Sequence, residues 1–331
     1  VENTTAQVAI TILLTTKITQ LATTDTTNLV TDDYGNIRYI GKDPNNYVSF
    51  DGDIWRITGV MKDVDDGTGN KEDRVKIIRN DAIGGYSWDT SESSINNGEG
   101  VNEWSQADLM KLLNPGYESE TVGGSLYWNN KSGTCYSSKN NGTKACDFAS
   151  TGIKDKLKNM LGNAVWNTGS QGTASWYNSS GGLTKHFYTY ERSENTGKIC
   201  TSGIYCTDTV ARTTTWTGKI GLMYPSDYGY ATRAADRTTC LNKELLNWSD
   251  SSVSGCKYND WLLNGSSSAQ WTLSPHADSS NADYVFYVYI VGNVRIASAC
   301  SSSAVRPVGY LLSNTLVQSG DGSSGNPFIL S

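Results

Sequence analysis

The stretch from Tyr284 to Ile296 constrains the fold of this chain more than any other. Side chains alternate from Tyr284 to Val291, break at Gly292-Asn293, and resume at Val294-Arg295-Ile296. A period of two is a strand pattern, and a Gly-Asn break between two such runs reads as a two-residue hairpin loop. Two phrases flank it, Trp271-Thr272-Leu273-Ser274-Pro275 before and Val305-Arg306-Pro307-Val308 after. None of the three carries a nucleophile paired with a base or a set of metal ligands, so they specify scaffold and not chemistry. Val305–Leu312 is expected as a central strand. That would bury Arg306 and require carboxylate or carbonyl acceptors for its guanidinium.

Seven cysteines fall into three local pairs, Cys135/Cys146, Cys200/Cys206 and Cys240/Cys256, with Cys300 left over. Each pair is flanked by Gly, Ser, Asn or Thr. Turn-rich segments closed by nearby cysteines read as disulfide-stapled loops made in an oxidising compartment. Six cysteines allow 15 connectivities, and sequential pairing is the simplest of them. No C-x2-C spacing is present, and the two histidines, His186 and His276, stand apart from the pairs, so zinc is not expected. Cys300 is expected to be a buried free thiol.

The chain has 331 residues and 27 basic against 33 acidic side chains, a mild net charge of −6, and its Lys and Arg residues do not cluster into the basic face of a nucleic-acid binder. Ten Trp and 19 Tyr are enough to fill a core despite the polar composition. The longest largely apolar run, Val8 to Leu14, is far shorter than the roughly 20 residues of a membrane span. With no charged-then-apolar opening, the chain is expected to be a mature secreted product starting at Val1.

Residues 1–30 are Thr-rich and nearly uncharged. Val8, Ile12, Ile18 and Leu21 fit a helical stripe, while the β-branched density fits a strand equally well. Beyond them the pattern clears: Ile37–Ile40, Tyr47–Phe50, Ile54–Val60 and Arg74–Arg79 read as short strands. Asp63 to Asp73 is acidic, but Gly67 stands fifth and not sixth from Asp63, so a solvated hairpin loop is expected over an EF-hand. Ser105 to Asp108 resembles a capping box for a helix ending at Asn114-Pro115-Gly116, and a second helix is expected over Ile153 to Leu161. Lys219–Tyr224 reads as a buried strand, with Ser226-Asp227 capping a short helix after Pro225.

Nucleophilic catalysis is not supported. No G-x-S-x-G elbow occurs, and His186 and His276 read as packing or surface residues, the latter in a loop. Trp176-Tyr177, within the Gly/Ser-rich stretch Gly172–Gly182, is the one aromatic pair expected to touch a ligand or partner, or else to fold over its own loop. Asn259-Asp260-Trp261 is similar to half of the Ca2+-binding set of sugar-binding C-type lectins, but no second half is present. No metal or cofactor is expected.

The phrases Tyr39-Ile-Gly-Lys-Asp-Pro-Asn-Asn-Tyr-Val48, Trp55-Arg-Ile57, Val101-Asn-Glu-Trp-Ser-Gln106 and Leu222-Met-Tyr-Pro-Ser-Asp227, with the three C-terminal ones, resemble a family of uncharacterised surface proteins of Gram-positive bacteria. The family is distantly similar to the C-type-lectin-like fold of formylglycine-generating enzymes. The resemblance implies an α+β domain over residues 31–331 with small antiparallel sheets, a few short helices, paired N- and C-terminal strands and long loops. The oxidase activity of those enzymes does not carry over, because Cys300 lacks the near partner cysteine they use.

Residues 1–30 are then expected to form an arm outside that domain. Val8, Ile10, Ile12, Leu13 and Leu14 would pack on another copy of the chain, since an apolar stretch left exposed invites aggregation. The expected function is a non-enzymatic surface protein, a subunit of an extracellular filament joined through this arm. The alternative is an adhesin or glycan-binding module using the loops 118–151 and 168–215. Partners would be other copies of the chain, and glycans or proteins of a host or the environment, without nucleic acid.

Overall fold

A computed structural model describes residues 11–91, 97–169, 171–172, 182–192, 212–258, 261–263, 268–277 and 283–331. Within them the chain is α+β: a ten-stranded sheet, a six-stranded sheet, two short ribbons and a few short helices. The backbone of the large sheet is the hairpin Asp53–Asp65/Lys71–Arg79. Its inner residues, Trp55, Ile57, Val60, Val75, Ile77 and Ile78, are all buried. Val308–Tyr310 pairs antiparallel with Lys71–Arg79 and in turn with Ile220–Gly221, so the expected strand after Val305 is central, though short. Arg306 is buried there. Its Nε donates to Arg79 O (2.9 Å) and an Nη to Leu262 O (2.8 Å).

The strands read around Ile37, Tyr47, Ile54 and Arg74 are all present, within a few residues at their ends. The acidic segment Asp63 to Asp73 is the tip of the long hairpin. Asp65 Oδ1 accepts from the Gly67 and Gly69 amides and Asp66 Oδ1 from Thr68, local bonds that define an Asx-type loop. Two details differ. Lys219–Tyr224 contributes only the strand Ile220–Gly221, and Ser105 caps nothing: Glu103 accepts from its amide, ahead of a helix at Asp108–Leu113.

The C-terminal hairpin is Tyr284–Val288 with Val294–Ser298. The loop is longer than the expected Gly-Asn pair. The Tyr289 amide bonds to Asn293 O and the Gly292 amide to Tyr289 O, so Ile290, Val291 and Gly292 make a three-residue loop. Gly292 takes the left-handed position (φ 86°) that closes such loops. Gln270–Ala277 packs beside this hairpin and includes His276, which is therefore buried in a strand and not in a loop.

The arm expectation is corrected for residues 11–30. Ile12–Leu13 pairs antiparallel with Leu316–Ser319, joining the N-terminal and C-terminal parts of the chain, and Leu14–Ala22 is a helix. Leu14 and Ile18, one turn apart, are fully buried on that helix, which lies over Leu29–Thr31 and the long hairpin. Tertiary packing thus places part of the apolar stretch, from Ile12 to Leu14, in its own domain. One hydrophobic cluster runs from Leu14 to Leu330. Val8 and Ile10 lie outside the described residues.

Disulfides join Cys135 to Cys146 across a two-stranded ribbon and Cys240 to Cys256 between two helices. Cys200 and Cys206 lie outside the described residues. Cys300 is a free cysteine of intermediate exposure. The bonds fit an oxidising, extracellular setting, and among the described residues no helix is long and apolar enough to cross a membrane.

Candidate functional site

Tyr34 sits where the sequence Asp32-Asp-Tyr-Gly-Asn36 turns between the strands Leu29–Thr31 and Ile37–Tyr39. Asp32 Oδ1 accepts from the Tyr34 and Asn36 amides at 2.9 and 3.0 Å, and the Gly35 amide returns to Asp32 O. Gly35 supplies the left-handed residue (φ 81°), so the turn holds with its tyrosine pointing outward, 42% exposed.

Opposite the turn stands the helix Thr184–Glu191. Thr184, Phe187 and Glu191 face inward at helical spacing; Phe187 meets Phe286 edge-on at 5.1 Å and Glu191 accepts from the Ser226 amide at 3.0 Å. These anchors leave Tyr188 on the flank facing the turn. Its ring stacks on Tyr34 with centroids 3.9 Å apart and planes 19° from parallel. Arg192 lies 3.5 Å from the same ring, and two groups this close must take opposite faces. The result is a layered stack, Tyr34 on Tyr188 on Arg192, with the outer face of Tyr34 open.

The stack forms one wall of a cleft of about 510 Å3, a size suited to a small ligand. The distal end of the long hairpin also lines it, with Met61, Lys62, Asp63, Asp65 and Lys71. Val165, Asn167 and Tyr310 complete the lining.

Below the cleft lies a buried ionic network. Arg38 donates from Nε to Asp32 (2.8 Å) and from an Nη to Asp227 (2.7 Å), and Lys76 Nζ bonds to the other oxygen of Asp227. The Tyr224 amide adds a third donor at 2.9 Å, as the N-terminal cap of Pro225–Tyr230. Lys76 and Asp227 are each 1% exposed. Burial pushes Lys76 down to about 8, partly offset by Asp227. Burial alone would raise Asp227, yet Lys76 and Arg38 together bring it down to about 2. Burial raises Glu191. The network ties the tyrosine turn, the long hairpin and the Pro225 helix together, because removing any one charge would leave another uncompensated.

The residues singled out from sequence lie mostly elsewhere. Trp176, Tyr177 and the Asn259-Asp260 pair fall outside the described residues. Of the expected binding segments, 168–215 supplies Tyr188 and Arg192, whereas 118–151 carries the Cys135–Cys146 ribbon and does not line the cleft. His186 is half-buried on the helix beside Tyr190, and His276 packs against Phe286. The Trp55-Arg-Ile57 phrase is structural. Arg56 of Trp55-Arg-Ile57 stacks 3.7 Å from Tyr47 and bonds to Asn46 (2.5 Å) and Asp43 (3.0 Å), all from the Pro44 segment. Sequence reading missed Tyr34, although an aromatic at the outer position of a D-D-Y-G-N turn was a legible cue. Tyr188 and Arg192 had no such cue; a tertiary contact brings them to Tyr34. Among the described residues, no group of three or more His, Cys, Asp or Glu side chains is placed to hold a metal ion. Comparison of the chain with protein-family models, with curated proteins and with solved structures finds no match in any of the three.

Proposed function

We propose that this chain is a secreted, non-enzymatic bacterial surface protein, built on a C-type-lectin-like scaffold, that binds carbohydrate in the tyrosine-lined cleft. The observation that carries the reading is the Tyr34–Tyr188–Arg192 stack with its open outer face. A pyranose ring presents a face of C–H groups, slightly positive, which complements the negative face of an aromatic ring. Polar groups around the cleft, Asn167 and Lys71 among them, would fix orientation by hydrogen bonds. The two disulfides suit an extracellular protein, and the buried network beneath keeps the platform in place without a ligand. Screening the purified protein on a glycan array tests this. Binding to a defined sugar class that Tyr34→Ala reduces at least tenfold, with little change in Tm, is expected; a blank array across neutral and acidic glycans would sink it.

A second reading, assembly into a filament with other copies, is favoured by one observation. Ile12–Leu13 is a terminal strand of the large sheet, paired only with Leu316–Ser319 among the described residues, and Leu13 is 40% exposed. A free edge accepts strands. Electron microscopy of the native protein discriminates: filaments that disappear on deleting residues 1–10 support assembly, and monodisperse particles oppose it.

A further inference from the structure

Asn36 closes the tyrosine turn, and its side chain bonds to the turn, the helix and the long hairpin at once. Its Nδ2 donates to Asp32 Oδ2 at 3.0 Å and to the Tyr188 hydroxyl, on the helix Thr184–Glu191, at 3.2 Å. Its Oδ1 accepts from the Lys62 amide of the long hairpin at 3.0 Å. These partners fix the orientation of the amide. Turned over, it would set Nδ2 against the Lys62 N–H and Oδ1 against the Asp32 carboxylate. Both amide hydrogens and the carbonyl are thus engaged. At 2% exposure Asn36 has little left to offer a ligand, although it borders the cleft. Aspartate would lack both donors and face Asp32 as a like charge.

The bond to Tyr188 bears on the aromatic stack. Arg192 covers one face of the Tyr188 ring and Tyr34 the other. Face contacts tolerate sliding of the ring in its own plane, whereas a bond at the hydroxyl resists it. Tyr34 itself meets the helix only through long hydroxyl contacts, 3.4 Å to Thr189 Oγ1 and 3.5 Å to Lys185 O. Its ring therefore rests chiefly on Tyr188, and Tyr188 is held at its tip by Asn36.

We infer that Asn36 is a positioning residue of the cleft, acting through the Tyr188 hydroxyl to keep the open face of Tyr34 in place for a saccharide. The saccharide rests on the carbohydrate reading; the ring geometry does not.

Nuclear magnetic resonance of the full chain with labelled tyrosine rings tests the geometry, with Tyr34→Ala identifying the Tyr34 signals. Stacking on Tyr188 should shift the Tyr34 ring protons upfield. Tyr188→Phe, which keeps the ring and removes only the hydroxyl, should lessen that shift. Asn36→Ala should lessen it equally, and so should the double variant. Titration with cellotriose, chitotriose, maltotriose and lactose adds the binding readout. For any that binds, each single variant is expected to weaken affinity by about threefold or more, and the double variant by no more than either, as for two groups that share one bond. Melting separates this from loss of fold: Asn36→Ala should lower Tm further than Tyr188→Phe, because the Asp32 and Lys62 contacts go as well. If Asn36→Ala does not fold, Tyr188→Phe decides alone. Additive losses of affinity, or an unchanged Tyr34 shift in Tyr188→Phe, would overturn the positioning role and leave the carbohydrate reading standing. A blank glycan array with none of the four sugars bound would remove the carbohydrate reading, and the Tyr34 shift would still decide whether Asn36 positions the ring.

Discussion

Asp227 is fully buried and accepts from Lys76, Arg38 and the Tyr224 amide, so its ionisation is coupled to folding. Its folded pKa, about 2, lies below the ordinary carboxylate value. The stability it contributes is therefore present above roughly pH 4 and is lost as pH falls from about 4 to about 2, a difference on the order of 2 kcal/mol. Glu191, raised by burial, acts in the opposite sense: its contribution is present at acid pH and lost as pH rises past the normal glutamate range. Denaturant titrations from pH 2 to pH 6 should show an acid limb in the native chain. Asp227→Asn should flatten that limb while costing about 3–5 kcal/mol at neutral pH, because Lys76 and Arg38 lose a shared counter-ion. An unchanged acid limb in the variant would remove Asp227 from this role. At the same scale, Tyr34→Ala separates binding from folding: its ring is exposed, so Tm should move little while sugar affinity falls.

Among the elements, the helix Leu14–Ala22 decides between an arm and a core. Ile18→Ala, at a fully buried site on the helix packed over Leu29–Thr31 and the long hairpin, is expected to cost about 2–5 kcal/mol; Thr16→Ala, at an exposed site, should be near neutral. Deleting residues 1–10 should leave a folded protein, and deleting 1–22 should not, as read by circular dichroism and thermal melting. A cooperative melt for the longer deletion would restore the free-arm reading. The strand Asp53–Asp65 carries a comparable constraint at Gly59. A Cβ there would lie 2.0 Å from Ile37 O, where the ladder shifts register and the neighbouring strand comes close. Gly59→Ala is expected to lower Tm clearly, since backbone and not a flexible side chain must yield.

At the scale of the whole molecule, the two disulfides among the described residues close loops with sequence separations of 11 and 16 residues. Each is expected to contribute roughly 3 kcal/mol by restricting the unfolded chain. Reduction should therefore lower Tm, and the paired change Cys240→Ser with Cys256→Ser should cost more than the same change at Cys135 and Cys146. All four cysteines are buried, so the difference follows from the longer loop that Cys240–Cys256 closes. A larger loss at Cys135 and Cys146 would overturn the loop-length account.

The sequence by itself determined the strands around Ile37, Tyr47, Trp55 and Ile77, the C-terminal hairpin, the helix after Pro225, the burial of Arg306 and the pairing of Cys135/Cys146 and Cys240/Cys256. Those features rest on local information: side-chain period, turn residues, and cysteines close in the chain. Only the tertiary structure decided that Leu14 and Ile18 belong to the core, because an apolar stretch names no partner and helix and strand propensities were balanced there. It also decided the cleft. Tyr34 and Tyr188 are 154 positions apart, and Lys76 and Asp227 are 151 apart. Nothing in either local sequence specifies the other member of the pair. They meet because the long hairpin, the tyrosine turn and the Thr184 helix bury their apolar faces against one core, and that packing fixes which polar side chains are left facing one another.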